Sequence, residues 1–273
     1  MFQAVGIILL ISLLVPCSAT AARPSAPDPA PDMLRLGSPQ SPSAERAGPE
    51  LLAPLTMFQD VAPAEQHYKD ASIIRTSDVI EIDVHYPVFG KMLIDQDIAL
   101  WAHRVVETFT RGLGDDQANQ RQARNELMVN YTVSYASSRS LTVTYEIWTY
   151  TGGIHGNNDI ITLSYDVESG QRLLFEDTIV ATDIALERLA AYCSNALRQI
   201  LGADLDEAML KNGTAPELNN YSSFSLFPAG LRIHFQPYQV APFAAGAQRV
   251  DVPLEVILDA GPHLELWGRE NPR

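Results

Sequence analysis

Apolar and polar residues alternate with a period of two in several stretches of the chain, and this period predicts half-buried strands. Over 79–86, Ile80, Ile82, Val84 and Tyr86 are separated by Glu81, Asp83 and His85. Leu127, Val129, Tyr131, Val133 and Tyr135 share a face in a second stretch, Leu141, Val143, Tyr145 and Ile147 in a third, and Ile161, Leu163 and Tyr165 in a fourth. The last three are joined by short links, 136–140 and the glycine-rich 151–158, so an antiparallel meander is expected, with 166–170 turning the chain out of it. Two longer stretches repeat at three- and four-residue steps instead. Ile98, Ala102, Val105 and Phe109 mark a helix over 94–113, with Gly112 and Gly114 near its end. Leu186, Leu189, Leu197 and Ile200 mark another over 185–201, with Thr182 or Asp183 as N-cap. A shorter helical piece over 204–211 runs into Asn212-Gly213. After the turn Pro228-Ala229-Gly230, Leu231, Ile233 and Phe235 point inward and Arg232, His234 and Gln236 outward, and Pro253 opens a short helix over 254–258. The class these elements define is α+β: an antiparallel sheet, meander plus C-terminal strand, packed by two main helices.

The first part of the chain follows neither period. Residues 4–15 form an apolar run of signal-peptide size, too short to span a bilayer comfortably. Two processing sites compete there: Ala19-Thr20-Ala21 fits cleavage after Ala21, and Leu14-Val15-Pro16-Cys17 loosely resembles a lipoprotein signal, which makes Cys17 a lipidation candidate. From 22 to 57 the chain is rich in Pro, Ala and Ser and too poor in large apolar side chains to offset chain entropy, which reads as a tether. As a flexible coil it would span on the order of 30 Å. The expected organisation is a signal peptide over 1–21, the tether, and one folded domain over 58–273 with halves 58–149 and 150–260. Export to the periplasm or exterior follows, with membrane attachment only through a lipid on Cys17.

Composition narrows the partners. A net charge of −14 argues against nucleic acid, whose phosphates need a basic surface, and makes a cationic partner easier to accommodate, although acidic residues also simply keep an exported domain soluble. Cys193 is the one cysteine outside the targeting segment, so no disulfide framework is expected, and its helical setting reads as a small buried hydrophobe.

Catalytic signatures are sparse. The chain holds no phosphate-cradling loop with Lys, no nucleophile elbow, no helical His pair with Glu and no CxxC pair, so no cofactor is expected. The six histidines are scattered, and a metal site built from His85, His155 and His234 is the weaker reading against structural histidines. The loop Tyr150-Thr151-Gly152-Gly153-Ile154-His155-Gly156-Asn157-Asn158 is the most unusual local sequence in the folded part. Its glycines allow close backbone approach, and it reads either as a tight turn or as a ligand-contacting tip. Trp148 and Tyr150 lie on the polar face of their strand, with Thr142, Thr144 and Glu146, where they either stack on a sugar or partner or are covered by a neighbouring segment.

The stretch 224–246, FSLFPAGLRIHFQPYQVAPFAAG, with the closing Val252-Pro253, resembles the extracellular domain of unknown function shared by the anti-sigma factor RsiV and the peptidoglycan deacetylase PdaC. Gly152-Gly153-Ile154-His155-Gly156 is similar to a glycine and histidine segment of that family, and 79–149 to the companion domain that usually precedes it. The resemblance implies an α+β fold, an extracytoplasmic location and, from the best understood relative, binding of lysozyme. It is expected to bring neither sigma-factor sequestration nor deacetylase catalysis. The reading is therefore a non-catalytic binding module for a cell-wall glycan or a wall-active protein such as lysozyme, with contacts at Trp148, Tyr150, Gly152, Gly153, His155 and Tyr238. Tyr238 stands equally well as part of a structural corner. The alternative is a wall hydrolase or deacetylase-type enzyme using His155 and a carboxylate, Asp159 or Glu146.

Overall fold

A computed structural model describes residues 68–113, 124–152 and 155–270, all within one compact unit. The signal segment, the tether, Cys17 and Gly153 lie outside the described residues.

Six strands form the larger sheet, in spatial order β1 (Lys69–Thr76), β2 (Ile80–Val88), β3 (Asn125–Tyr135), β4 (Ser140–Tyr150), β5 (Asn157–Asp166) and β6 (Arg172–Leu173). The meander β3-β4-β5 is antiparallel, as its short links require. β2 and β3 are parallel, because α1 (Met92–Gly112) carries the chain back across the sheet between them. The apolar stripe of α1, Ile94, Ile98, Trp101, Ala102, Val105 and Phe109, packs on Ile82, Val84, Leu127, Val129, Val143, Tyr145 and Leu163. Burying each aliphatic side chain of that stripe contributes roughly 1.5–3 kcal/mol. Trp101 lies 3.9 Å from the ring of Tyr145, and the Asp95 carboxylate accepts a hydrogen bond from the Phe89 N–H at the helix entry.

The C-terminal strand joins two others in a sheet of its own, β7 (Phe224–Phe227), β8 (Gly230–Phe235) and β9 (Gln248–Pro253). Its apolar face, Phe224, Leu226, Leu231, Ile233, Phe235, Val250 and Val252, packs with α2 (Thr182–Leu201), including Leu186, Leu189, Cys193 and Leu197. Ala181 holds the cap position of α2 and supplies no side-chain bond, so neither Thr182 nor Asp183 caps it. The next helix, α3 (Glu207–Gly213), is capped by Asp206, whose carboxylate accepts from Ala208 and Met209. The piece expected over 254–258 is a 3-10 helix, Leu254–Ala260. Cys193 is fully buried, and burial pushes its thiol well above the usual range.

The two cores run from Ile82 to Tyr165 and, apart from Ala136, from Phe175 to Trp267, so they divide after β5. Between them the two sheets meet by their polar faces. Helices therefore flank the pair on the outside, and the polar face of β4 is covered by β7, not by a helix. Buried polar groups need partners, and here hydroxyls supply them. Thr142 Oγ1 accepts from the Leu226 N–H at 3.1 Å and lies 2.9 Å from Ser164 Oγ, and Thr162 Oγ1 accepts from the Phe224 N–H at 3.0 Å. At the far end of the chain, the Leu266 carbonyl accepts from both Ser137 and Ser140.

Candidate functional site

The turn after β8 places an aromatic ring in the open. Tyr238 is 61% exposed, and it is the one non-glycine residue with positive φ, 68°, among the described residues. Its neighbours hold it there. The Gln239 side chain accepts from the Gln236 N–H at 2.9 Å and donates to the carbonyls of Gly213 and Asn220, while Val240 and Ala241 are buried. Gly213 is required at that contact, since a Cβ on it would stand 2.0 Å from the Gln239 carbonyl oxygen. The corner is thus structural through Gln239 and Val240, and it presents Tyr238 outward. A left-handed tyrosine persists only where the surroundings enforce it, at a cost of about 1–3 kcal/mol.

Tyr238 stacks on Phe243, with centroids 5.2 Å apart and planes at 28°, and Phe243 stacks on His155 at 4.6 Å and 27°. Three rings from two separate loops therefore form one ladder. His155 reaches it from the β4-β5 loop, where its Nδ1 lies 3.1 Å from the Gly156 carbonyl oxygen. That loop is seated on Trp148: a Cβ on Gly156 would stand 2.4 Å from the indole and 2.8 Å from the Thr149 carbonyl oxygen. The Trp148 indole N–H donates to Glu126 at 3.3 Å. Trp148 is half-buried, a support for the loop beneath the ladder. Gly152, with φ of 91°, has no heavy atom within 4 Å of where a Cβ would stand, and Tyr150 is half-buried at the end of β4 in the same hairpin.

The carboxylates weighed as catalytic partners are not joined to His155. Among the described residues none is hydrogen-bonded or ion-paired to it. Asp159, exposed overall with a carboxyl raised above its usual range by partial desolvation, stands opposite Ile147 on the α1 side of the sheet. Glu146 stands on the other side, opposite Ile160. The histidines weighed as metal ligands are separately engaged. His85 contacts Asp70 and Asp83, His155 stacks on Phe243, and His234 lies 2.9 Å from Ser225 Oγ.

A second feature lies between the sheets, a cleft of about 530 Å³. Its walls include Thr132, Ser134, Thr144 and Glu146 from the larger sheet, and Ser225, Arg232, His234, Gln248 and Arg249 from the smaller. Thr144, Ser225 and His234 form a hydrogen-bonded chain of two 2.9 Å links. Arg232 and Asp251, almost fully buried, make a bidentate pair at 2.6 and 3.1 Å, with the guanidinium 4.4 Å above the Phe227 ring. Sequence reasoning named neither Phe243 nor Arg249 as a contact, because nothing along the chain shows that the 243 ring meets His155 or that Arg249 lies on a strand facing the other sheet.

Comparison with known proteins places this architecture. Residues 175–255 match the family described as "Protein of unknown function (DUF3298)", a segment that opens where the second core begins. The chain is 26% identical over 189 residues to the peptidoglycan-N-acetylmuramic acid deacetylase PdaC of Bacillus subtilis. That alignment covers 69% of this chain and 40% of the deacetylase. Two crystal structures of DUF3298 family proteins share the fold. One, from Pseudomonas aeruginosa, superposes with a TM-score of 0.54 at 12% identity, covering 75% of this chain and 96% of its own. The other, from Bacteroides fragilis, gives 0.50 at 16% identity, covering 73% and 95%. Residues 175–255 thus match the DUF3298 family model, and the chain is similar to PdaC and to DUF3298 family structures, consistent with a DUF3298 domain shared with PdaC.

Proposed function

We propose that this chain is a non-catalytic, extracytoplasmic binding module of the cell envelope, and that the Tyr238–Phe243–His155 ladder recognises a cell-wall glycan. The observation that carries the reading is the exposed tyrosine held at positive φ and stacked into a row of rings. Sugar rings present apolar C–H faces that stack on such surfaces, and strain of this kind is retained where a side chain must be presented. The similarity to a deacetylase that acts on peptidoglycan supports the same ligand class, and the apolar run at 4–15 with the tether supports export and, through Cys17, a lipid anchor. The acidic balance suits a cationic wall-active protein such as lysozyme as the competing occupant.

Co-sedimentation of the purified chain with purified peptidoglycan, at low and high salt and with lysozyme as competitor, tests the reading. Salt-resistant pelleting that weakens on substitution of Tyr238 or Phe243 is the expected result. Absence of pelleting, or pelleting seen only as a salt-sensitive complex with lysozyme, would refute it.

A further inference from the structure

The cleft between the sheets has a different chemistry from the ring ladder. Most of its polar groups satisfy one another: Arg232 is held by Asp251, and Ser225 by Thr144 and His234. The hydroxyls of Thr132, Ser134 and Tyr135 remain, with Arg249 and Glu146. Ser134 Oγ is buried without a hydrogen-bond partner, on the β3 face that also carries Thr132. Arg249, exposed at the β9 wall, makes no ion pair with any described residue, and neither does Glu146 on the β4 wall. Two opposite charges that line one cleft from opposite sheets and do not meet leave room for a ligand that addresses both. Val133, Ile160, Ile200 and Phe227 add apolar patches to the same walls.

We infer that this cleft binds a sugar bearing a single carboxylate and an acylated amine. Arg249 takes the carboxylate, Glu146 and the hydroxyls of Thr132 and Ser134 take the hydroxyl and amide hydrogens, and the apolar patches receive the acyl methyl. The proposal rests on the glycan reading and gives it a ligand class. Guanidinium matches carboxylate geometry with two parallel hydrogen bonds. A polyanion is disfavoured, because Glu146 faces it and the chain already carries a net charge of −14. The volume, about 530 Å³, is that of a site for one or two sugar rings, within the roughly 300–1,000 Å³ usual for ligand pockets.

The test compares N-acetylmuramic acid with N-acetylglucosamine, which has the same ring and acetamide but no carboxylate. Titration of the purified chain, followed by amide chemical shifts, is expected to show roughly tenfold tighter binding of the acid, the order that one charge-assisted hydrogen bond supplies. The shifts should centre on Ser134, Ser225 and Arg249. Arg249→Gln should remove the preference while peptidoglycan pelleting through the ladder persists. Equal binding of the two sugars, or a preference that survives Arg249→Gln, would overturn the cleft assignment and leave the ladder intact. Loss of pelleting with the acid preference retained would sink the ladder and leave the cleft standing.

Discussion

Substituting Asp251 by Asn probes the seam between the two sheets most directly. The Asp251 side chain is 1% exposed and that of Arg232 is 5% exposed, and two hydrogen bonds of 2.6 and 3.1 Å join them. The amide keeps the shape but removes the charge, so the guanidinium stays buried against Phe227 without its counter-ion. Breaking a buried pair from one side costs about 3–5 kcal/mol. In a domain of this size that corresponds to a fall in Tm of about 6–20 °C. Urea unfolding followed by tryptophan fluorescence, with calorimetry as a second readout, measures it. The double substitution Arg232→Met with Asp251→Leu should recover most of the loss, because replacing both partners removes the uncompensated charge as well as the attraction. A cost under about 1 kcal/mol for Asp251→Asn would refute the reasoning, since it would mean that water reaches the pair as it reaches a surface salt bridge.

Three further outcomes are expected. Tyr238→Asn relieves the left-handed strain and removes the ring, so stability should stay within about 1 kcal/mol of the parent while peptidoglycan pelleting falls; a loss above about 2 kcal/mol would make the corner's role purely structural. Gly156→Ala drives a methyl group into Trp148 and the Thr149 carbonyl, and should cost about 1–3 kcal/mol by denaturant unfolding and quench the ladder's binding with it. His85 is raised above 6.5, chiefly because its Nδ1 is hydrogen-bonded to Asp70, with Asp83 adding to the effect and desolvation opposing it. A raised folded-state value stabilises fully below 6.5 and is lost as pH climbs through the raised value, so the parent should lose stability relative to His85→Gln as pH rises above 6.5 in thermal unfolding. Parallel pH profiles for the two proteins would rule this out.

Much of the α+β architecture was legible in local periodicity. The strand from Ile80, the meander from Leu127 to Tyr165 and the two long helices all announce themselves by which positions are apolar, because each buries one face and the spacing of that face reveals the element. β1 was not legible: only Ala71 and Ile73 of its eight residues are even half-buried, so an edge strand leaves almost no pattern. β7 was missed for the opposite reason, since all four of its residues are buried and nothing alternates. The candidate contacts were found unevenly. His155 and Tyr238 stood out by their loop and corner, yet Phe243, which joins them, is indistinguishable in sequence from a core residue.

By itself the sequence determined the periodic elements, the apolar face of each, the likeness to the DUF3298 domain and the oddity of the 150–158 loop. The tertiary structure alone decided that the last three strands form a separate sheet, that the two sheets meet by their polar faces, and that rings 83 to 88 positions apart along the chain, His155 with Tyr238 and Phe243, stand in one ladder. The physical reason is that periodicity records which face of an element avoids water, whereas the partner of a polar face is chosen by hydrogen bonds between residues far apart in the chain. Thr144 reads as a solvent-facing residue until Ser225, 81 positions later, is laid across it at 2.9 Å.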